Sequence, residues 1–92
     1  MDIYAQIINR IIREQESVIG PIALVQAQKV AGISAQSDEN VKVAGNGKEI
    51  LEHLVAQYQK FFGKASIEVC KEALDPIRDK LTSTEIPDIL KN

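Results

Sequence analysis

Residues 16–32 read ESVIGPIALVQAQKVAG, and two helical patterns meet there at Gly20-Pro21. Glycine can adopt the left-handed backbone conformation that closes a helix. Proline cannot continue a helix, but it suits the first position of a new one. The stretch therefore predicts a tight connection between a helix that ends near Ile19 and a second helix from Pro21 to Ala31, followed by Gly32. The two helices either pack side by side or form a sharp corner.

Aliphatic side chains upstream of this corner recur at helical spacing. Asp2 can cap a helix whose apolar positions are separated by one, three or four residues over most of its length. This pattern predicts one continuous helix over residues 3–19 with a wide apolar stripe. The stripe consists of Ile3, Ile7, Ile8, Ile11, Ile12, Val18 and Ile19.

A similar arrangement follows 43 residues later, around Gly63. The capping pair Asn46 and Glu49 predicts a third helix that extends to about Phe62, and a fourth helix begins near Ala65. The offset lies within the range of helical-pair repeats. Any two amphipathic helices joined by glycine would also match in hydrophobic class, so duplication and coincidence are both open. Aligning Gly20 with Gly63 pairs Ile11 with Leu54, Ile12 with Val55, Val18 with Phe61 and Ile19 with Phe62.

Between the two helix pairs, residues 34–40 (SAQSDEN) have the composition of a loop. Residues 41–44 alternate as a short strand would, so a β-strand is possible there. A strand needs a partner for its backbone groups. The candidates are residues 30–34 and the same strand of another copy.

The fold class predicted from these patterns is mainly α, with four helices in two glycine-pivoted pairs. Residues 1–92 are expected to form a single small helical domain. After the fourth helix, Asp75-Pro76 begins a turn or short helix, and the tail 82–92 either docks or remains loose.

Composition argues against several classes of partner. Charged residues make up 26% of the chain and the net charge is −2, with no long run of either sign. Nucleic-acid binding needs clustered Lys and Arg, and a membrane span needs about 18 consecutive apolar residues. Neither pattern is present, and the first residues do not resemble a signal peptide. We therefore expect a cytoplasmic protein with no nucleic-acid or membrane partner.

Few residues point to chemistry. Asn46, Gly47 and Lys48 open a helix, where free N–H groups favour an anion. The spacing fails the phosphate-loop motif, so a helix cap is the simpler interpretation and any anion site is weak. Cys70 and His53 are the single residues of their types, too few for a zinc site. Cys70 lies on an apolar stripe, which favours an inert core thiol. We predict no catalytic residues, metal or cofactor.

The apolar stripes are the more informative feature for function. A small helical chain gains buried area by association. We therefore expect a non-catalytic interaction or regulatory module that binds a protein partner or self-associates, most simply as a homodimer. The alternative is a small enzyme or ligand-binding domain that uses Cys70 and His53 or an anion at the 45–48 turn. The predicted interface residues are Ile3, Ile7, Ile8, Ile11, Ile12, Ile86, Ile89 and Leu90.

Overall fold

A computed structural model describes residues 2–91; Met1 and Asn92, the ends of the predicted domain and tail, lie outside the described residues. The fold is mainly helical with a small antiparallel sheet, which confirms the predicted class. The elements are α1 (Ile3–Ile19), α2 (Ile22–Gln28), β1 (Ile33–Ser37), β2 (Asn40–Val43), α3 (Gly47–Phe62) and α4 (Ala65–Leu74), followed by 3₁₀ helices at Asp75–Lys80 and Asp88–Leu90.

The first helix is continuous over the predicted residues. Asp2 caps it, because Asp2 Oδ1 accepts a hydrogen bond from the Tyr4 N–H at 3.0 Å. Branched isoleucine side chains lose rotamer freedom in a helix, so burial has to stabilise α1. Each fully buried isoleucine contributes roughly 1.5–3 kcal/mol. The isoleucines with no exposed surface are Ile7, Ile8, Ile11 and Ile12.

The two helix–helix corners have nearly the same backbone geometry. Gly20 has φ 81° and ψ −163°, and Gly63 has φ 77° and ψ −171°. The positive φ agrees with the sequence prediction, but ψ is extended and lies outside the left-handed helical region. In both corners the glycine N–H donates to the carbonyl four residues earlier, at 2.9 Å for Gly20 and 2.8 Å for Gly63. Glycine is needed here for its backbone freedom.

The 43-residue offset also relates buried hydrogen bonds between the two halves. The Gln15 Nε2 of α1 donates to the Ser66 carbonyl of α4 at 3.0 Å. The Tyr58 hydroxyl of α3 donates to the Ala23 carbonyl of α2 at 2.7 Å. Gln15 and Tyr58 are 43 residues apart, as are Ala23 and Ser66. Each half therefore donates one buried hydrogen bond to the equivalent position in the other half.

A β-hairpin corrects the prediction of a loop at residues 34–40. β1 covers the first part of that segment and pairs antiparallel with β2, with Ile33 opposite Val43. Ile33 and Ala35 are buried, whereas Ser34 and Gln36 are exposed. The composition concealed this alternation, because only Ala35 among residues 34–40 is apolar. The second strand does pair within the chain, but its partner overlaps the candidate residues 30–34 only at Ile33 and Ser34.

Helix α2 is shorter than the sequence predicts. It ends at Gln28 and not at Ala31, because the chain must turn there to enter the hairpin. Gly32 has φ 93°, and a Cβ at this position would lie 2.9 Å from the Ala44 carbonyl oxygen. The hairpin therefore closes against a glycine that no larger residue could replace without a shift of the backbone.

The described part of the tail docks on the helices and is not loose. Ile86 and Leu90 are buried in the same core cluster as the isoleucines of α1. The Tyr4 hydroxyl donates to the Glu85 carbonyl at 2.8 Å, and the Arg78 Nη1 donates to the Leu90 carbonyl at 3.1 Å. The tail thus covers the start of α1 and the 3₁₀ helix that follows α4.

The corner geometry predicts equal costs for two glycine substitutions. Nothing lies within 4 Å of a Cβ added at Gly20 or Gly63, so only the positive φ penalises a larger residue. Gly20→Ala and Gly63→Ala should each lower the free energy of unfolding by about 1–3 kcal/mol, as measured by urea denaturation. A neutral effect of either substitution would show that the corner does not require positive φ.

Candidate functional site

Most of the predicted interface residues lie inside the chain. Ile7, Ile8, Ile11, Ile12, Ile86 and Leu90 are buried, and only Ile3 and Ile89 are partly exposed. The physical reason is that α1 packs against α2, α3, α4 and β2, which together cover its apolar stripe. These side chains stabilise the fold, so a contact surface has to be sought elsewhere.

Exposed apolar side chains occur at the two glycine corners. We call Val18, Ile22, Val25 and Phe61 the corner surface; their exposed fractions are 63%, 44%, 46% and 51%. Val18 and Phe61 each lie two residues before a corner glycine. A sequence signal for this exposed surface exists in α2, because nearly every side of that helix is apolar. A chain of this size cannot bury all sides of a short helix.

A groove lies between the end of α1 and the start of α4. Its volume is about 80 Å³, and its walls are mainly apolar. Its lining includes two buried polar side chains, Gln15 at 1% exposure and Ser66 at 4%. The residues that line the groove are Gln15, Val18, Ile19, Phe62, Ala65, Ser66 and Val69.

The Gln15 amide is only half satisfied. Its Nε2 donates to the Ser66 carbonyl and, at 3.5 Å, to Cys70 Sγ. Its buried Oε1 has no hydrogen-bond donor among the described residues. The Ser66 carbonyl is an acceptor and requires a donor opposite it, so rotating the amide by 180° would be unfavourable. The unpartnered atom is therefore the oxygen.

Cys70 and His53 are in different environments. Cys70 has no exposed surface, and burial raises the pKa of its thiol to about 11, although the hydrogen bond from Gln15 opposes this shift. His53 is exposed on α3. A nucleophilic cysteine needs a lowered pKa and access to substrate, and Cys70 has neither.

The predicted anion site serves as a helix cap. Asn46 Oδ1 accepts a hydrogen bond from the Glu49 N–H at 3.1 Å, so one of the free donors is already satisfied. A Cβ on Gly47 would collide with the Tyr4 ring. The Glu49 carboxylate adds negative charge in the first turn. This geometry favours capping over the binding of an anion near Asn46, Gly47 and Lys48.

Glu16 and Asp38 form a carboxyl pair where the hairpin turn meets α1. Asn9 Nδ2 donates to the Asp38 carbonyl and holds the turn against the helix. Burial, the hydrogen bond to Asp38 and the Asp38 charge all raise the pKa of Glu16, while Arg13 opposes them. Packing the hairpin turn on this side of α1 therefore brings two carboxyl groups together and disfavours the charged form of Glu16.

Within residues 2–91, no three His, Cys, Asp or Glu side chains are grouped as a metal ion would require. None of the described helices is both long and apolar enough to cross a bilayer.

Comparisons with known proteins found no matching family model, curated protein or solved structure. The corner surface and the groove are therefore the features from which a function can be argued.

Burial of Cys70 predicts slow thiol labelling in the native protein. Because its pKa is raised from 9.0 to about 11, the thiolate fraction falls by about 100-fold at neutral pH, and burial slows the reaction further. Labelling with an aromatic disulfide at pH 8 should be at least that much slower than in urea. The His53→Ala variant should label at the same rate; a slower rate would indicate that His53 activates the thiol.

The carboxyl pair predicts a dependence of stability on pH. In the folded state Glu16 keeps its proton to a pH above its ordinary pKa of 4.5. The contribution of this carboxyl to stability is therefore greatest below that value and falls as pH rises through the raised pKa. Glu16→Gln should therefore raise the thermal midpoint at pH 7 and leave it unchanged at pH 3. The exposed neighbour Glu14→Gln is the matched control, and an equal effect of both would contradict the pairing.

Proposed function

We propose that this chain is a small non-catalytic interaction module that self-associates as a homodimer through the corner surface. The observation that carries the proposal is the concentration of the large exposed apolar side chains at the two corners. Isolated exposed apolar residues are ordinary, but a contiguous patch is typical of a contact site. A homodimer would cover this patch with the same patch of a second copy.

The two corners lie at the same end of the molecule. Ile19 and Phe62 immediately precede the corner glycines, and both line the groove. The Gln57 Nε2 also donates to Gln26 Oε1 at 2.8 Å, which holds the later part of α3 beside α2. The corner surface therefore draws its side chains from three helices whose ends lie near each other.

The chemistry of this region suits contact between identical copies. A dimer with twofold symmetry places the same patch on both partners, so the patch must be complementary to itself. Apolar side chains meet this condition without bringing like charges together. A standard interface covers about 800 Å² on each partner, roughly a sixth of the 5179 Å² that the chain exposes.

The alternative of an enzyme based on Cys70 and His53 has less support, because the raised pKa and burial of the thiol work against nucleophilic attack. As part of the same proposal we place the module in the cytoplasm. A single cysteine cannot form an internal disulfide, so the chain carries no adaptation to an oxidising compartment.

Charge substitutions in the corner surface should weaken the dimer. Val25→Glu and Phe61→Glu each place a carboxylate where an apolar side chain would be buried between copies, so the dissociation constant should rise at least about tenfold. Sedimentation velocity over a concentration series measures this constant. Both positions are about half exposed, so circular dichroism should report an unchanged fold.

Ala44→Glu is the matched control, because Ala44 is exposed and follows β2, away from the corners. It introduces the same charge and should leave the dissociation constant unchanged. The proposal is contradicted if the parent chain remains a monomer at high micromolar concentration. It is also contradicted if the control weakens the dimer as much as the corner variants do.

A further inference from the structure

The β-sheet has two strands and therefore two outer edges. The Ala44 N–H donates to the Gly32 carbonyl at 2.8 Å, just beyond the ladder. Hydrogen-bonded and non-hydrogen-bonded pairs alternate in an antiparallel ladder, so the next pair inward, Ile33 with Val43, is not hydrogen-bonded. The backbone N–H and C=O groups of such a pair point away from the partner strand, towards the two outer edges.

The outer edge of β1 is partly closed by its own chain. The Ile33 N–H donates to the Val30 carbonyl at 3.1 Å, and the Ala35 carbonyl accepts a hydrogen bond from Gln28 Nε2 at 2.8 Å. These two contacts agree with the alternation, because they show residues 33 and 35 directing backbone groups outward. They also place the end of α2 and the turn that follows it beside this edge, where an added strand would have to displace them.

The outer edge of β2 is open. Val41 and Val43 belong to the same non-hydrogen-bonded pairs, so two N–H and two C=O groups point outward from this strand. None of the four groups has a hydrogen-bond partner among residues 2–91. Buried backbone groups are nearly always paired, and both valines retain exposed surface. The four groups therefore face solvent.

The elements that pack against β2 leave space beside this edge. The Val41 and Val43 side chains pack against the hydrophobic core, and α1 is the helix that lies closest to β2. Side chains stand roughly perpendicular to a sheet, so α1 lies under the inner face of β2. β1 lies along the opposite edge. Neither element occupies the plane of the sheet beyond β2, where an added strand would lie about 4.8 Å away.

Lys42 determines which kind of strand can pair with β2. It is exposed on the outer face between the two valines, opposite the uncharged Ser34 of β1, and it forms no ion pair with the described residues. If a second copy added its own β2 so that Val41 faced Val43, the two Lys42 side chains would lie directly opposite each other, which is unfavourable. Lysine on natural edge strands hinders such pairing between copies. A carboxylate opposite Lys42 instead attracts it.

We propose that the open edge of β2 binds an extended segment of a different protein as a third, antiparallel strand, with a carboxylate opposite Lys42 and an apolar residue on either side of it. The outward groups of Val41 and Val43 form the backbone hydrogen bonds of this strand addition. The two apolar side chains of the segment lie on the inner face and cover the exposed surface of the valines. The site is separate from the corner surface and does not depend on the proposed homodimer.

Titration with the blocked peptide acetyl-Thr-Val-Glu-Val-Thr-amide, followed by amide chemical shifts and hydrogen exchange, tests the site. Its matched control replaces the glutamate with lysine. We expect the glutamate peptide to shift the Val41 and Val43 amides and to slow their exchange. The Lys42 amide belongs to a hydrogen-bonded pair of the ladder, so it should be protected before and after addition. The glutamate peptide should bind about three- to tenfold more tightly than the lysine peptide.

Three variants separate the edge from the rest of the fold. Lys42→Glu should invert the preference, so that the lysine peptide binds more tightly than the glutamate peptide. Lys80→Glu is its matched control, because Lys80 is exposed on the 3₁₀ helix that packs against α4, and it should leave the preference unchanged. Val43→Pro removes one outward N–H, a loss that edge strands tolerate. It should abolish binding while circular dichroism shows an unchanged fold.

Several outcomes would overturn the inference. Equal affinity for the two peptides, or an unchanged preference in Lys42→Glu, would remove the role of the charge. Absence of shifts at Val41 and Val43 up to the solubility limit of the glutamate peptide would remove the site. If these amides become protected as the protein concentration rises without peptide, a second copy occupies the edge and the proposed partner is wrong. The Val25→Glu variant should bind the glutamate peptide as the parent chain does, which keeps the result independent of the corner surface.

Discussion

The structure depends on two glycine corners, at each of which one helix ends and the next begins. Gly20 and Gly63 share a positive φ that larger residues rarely adopt, and one residue separates each of them from the next helix. Because both corners turn the chain in the same way, the two helix pairs can pack against each other reciprocally. The hydrogen bonds from Gln15 and Tyr58 to the opposite pair are a direct result of this arrangement.

The two helix pairs have nearly the same backbone geometry at their corners. The side chains that each pair places against the other differ in size. Tyr58 fills its half of the interface and is fully buried, whereas Gln15 leaves an apolar groove and an unpartnered oxygen beside it. Protein interiors are normally close-packed, and the groove lies beside the shorter of the two equivalent side chains.

Burial decides how the few reactive residues should be interpreted. Cys70 has a counterpart 43 residues earlier in Ala27, and both are fully buried. A thiol in the place of an alanine acts as a small hydrophobic group, and its raised pKa agrees with this role. The imidazole of His53 is exposed on α3 and is not among the residues that line the groove. The environment of Cys70 therefore favours the proposed interaction module over the enzyme alternative.

The sequence by itself determined the four helices, because apolar spacing, the caps at Asp2 and Asn46 and the corner glycines are all local signals. Only the tertiary structure decided which apolar side chains remain exposed and that residues 33–37 form a strand. Exposure depends on which elements cover a helix face, and strand pairing depends on a partner elsewhere in the chain. Four isoleucines of α1 that were predicted as interface residues are thus buried in the core, whereas Val18 and Phe61 are more than half exposed. The four are Ile7, Ile8, Ile11 and Ile12.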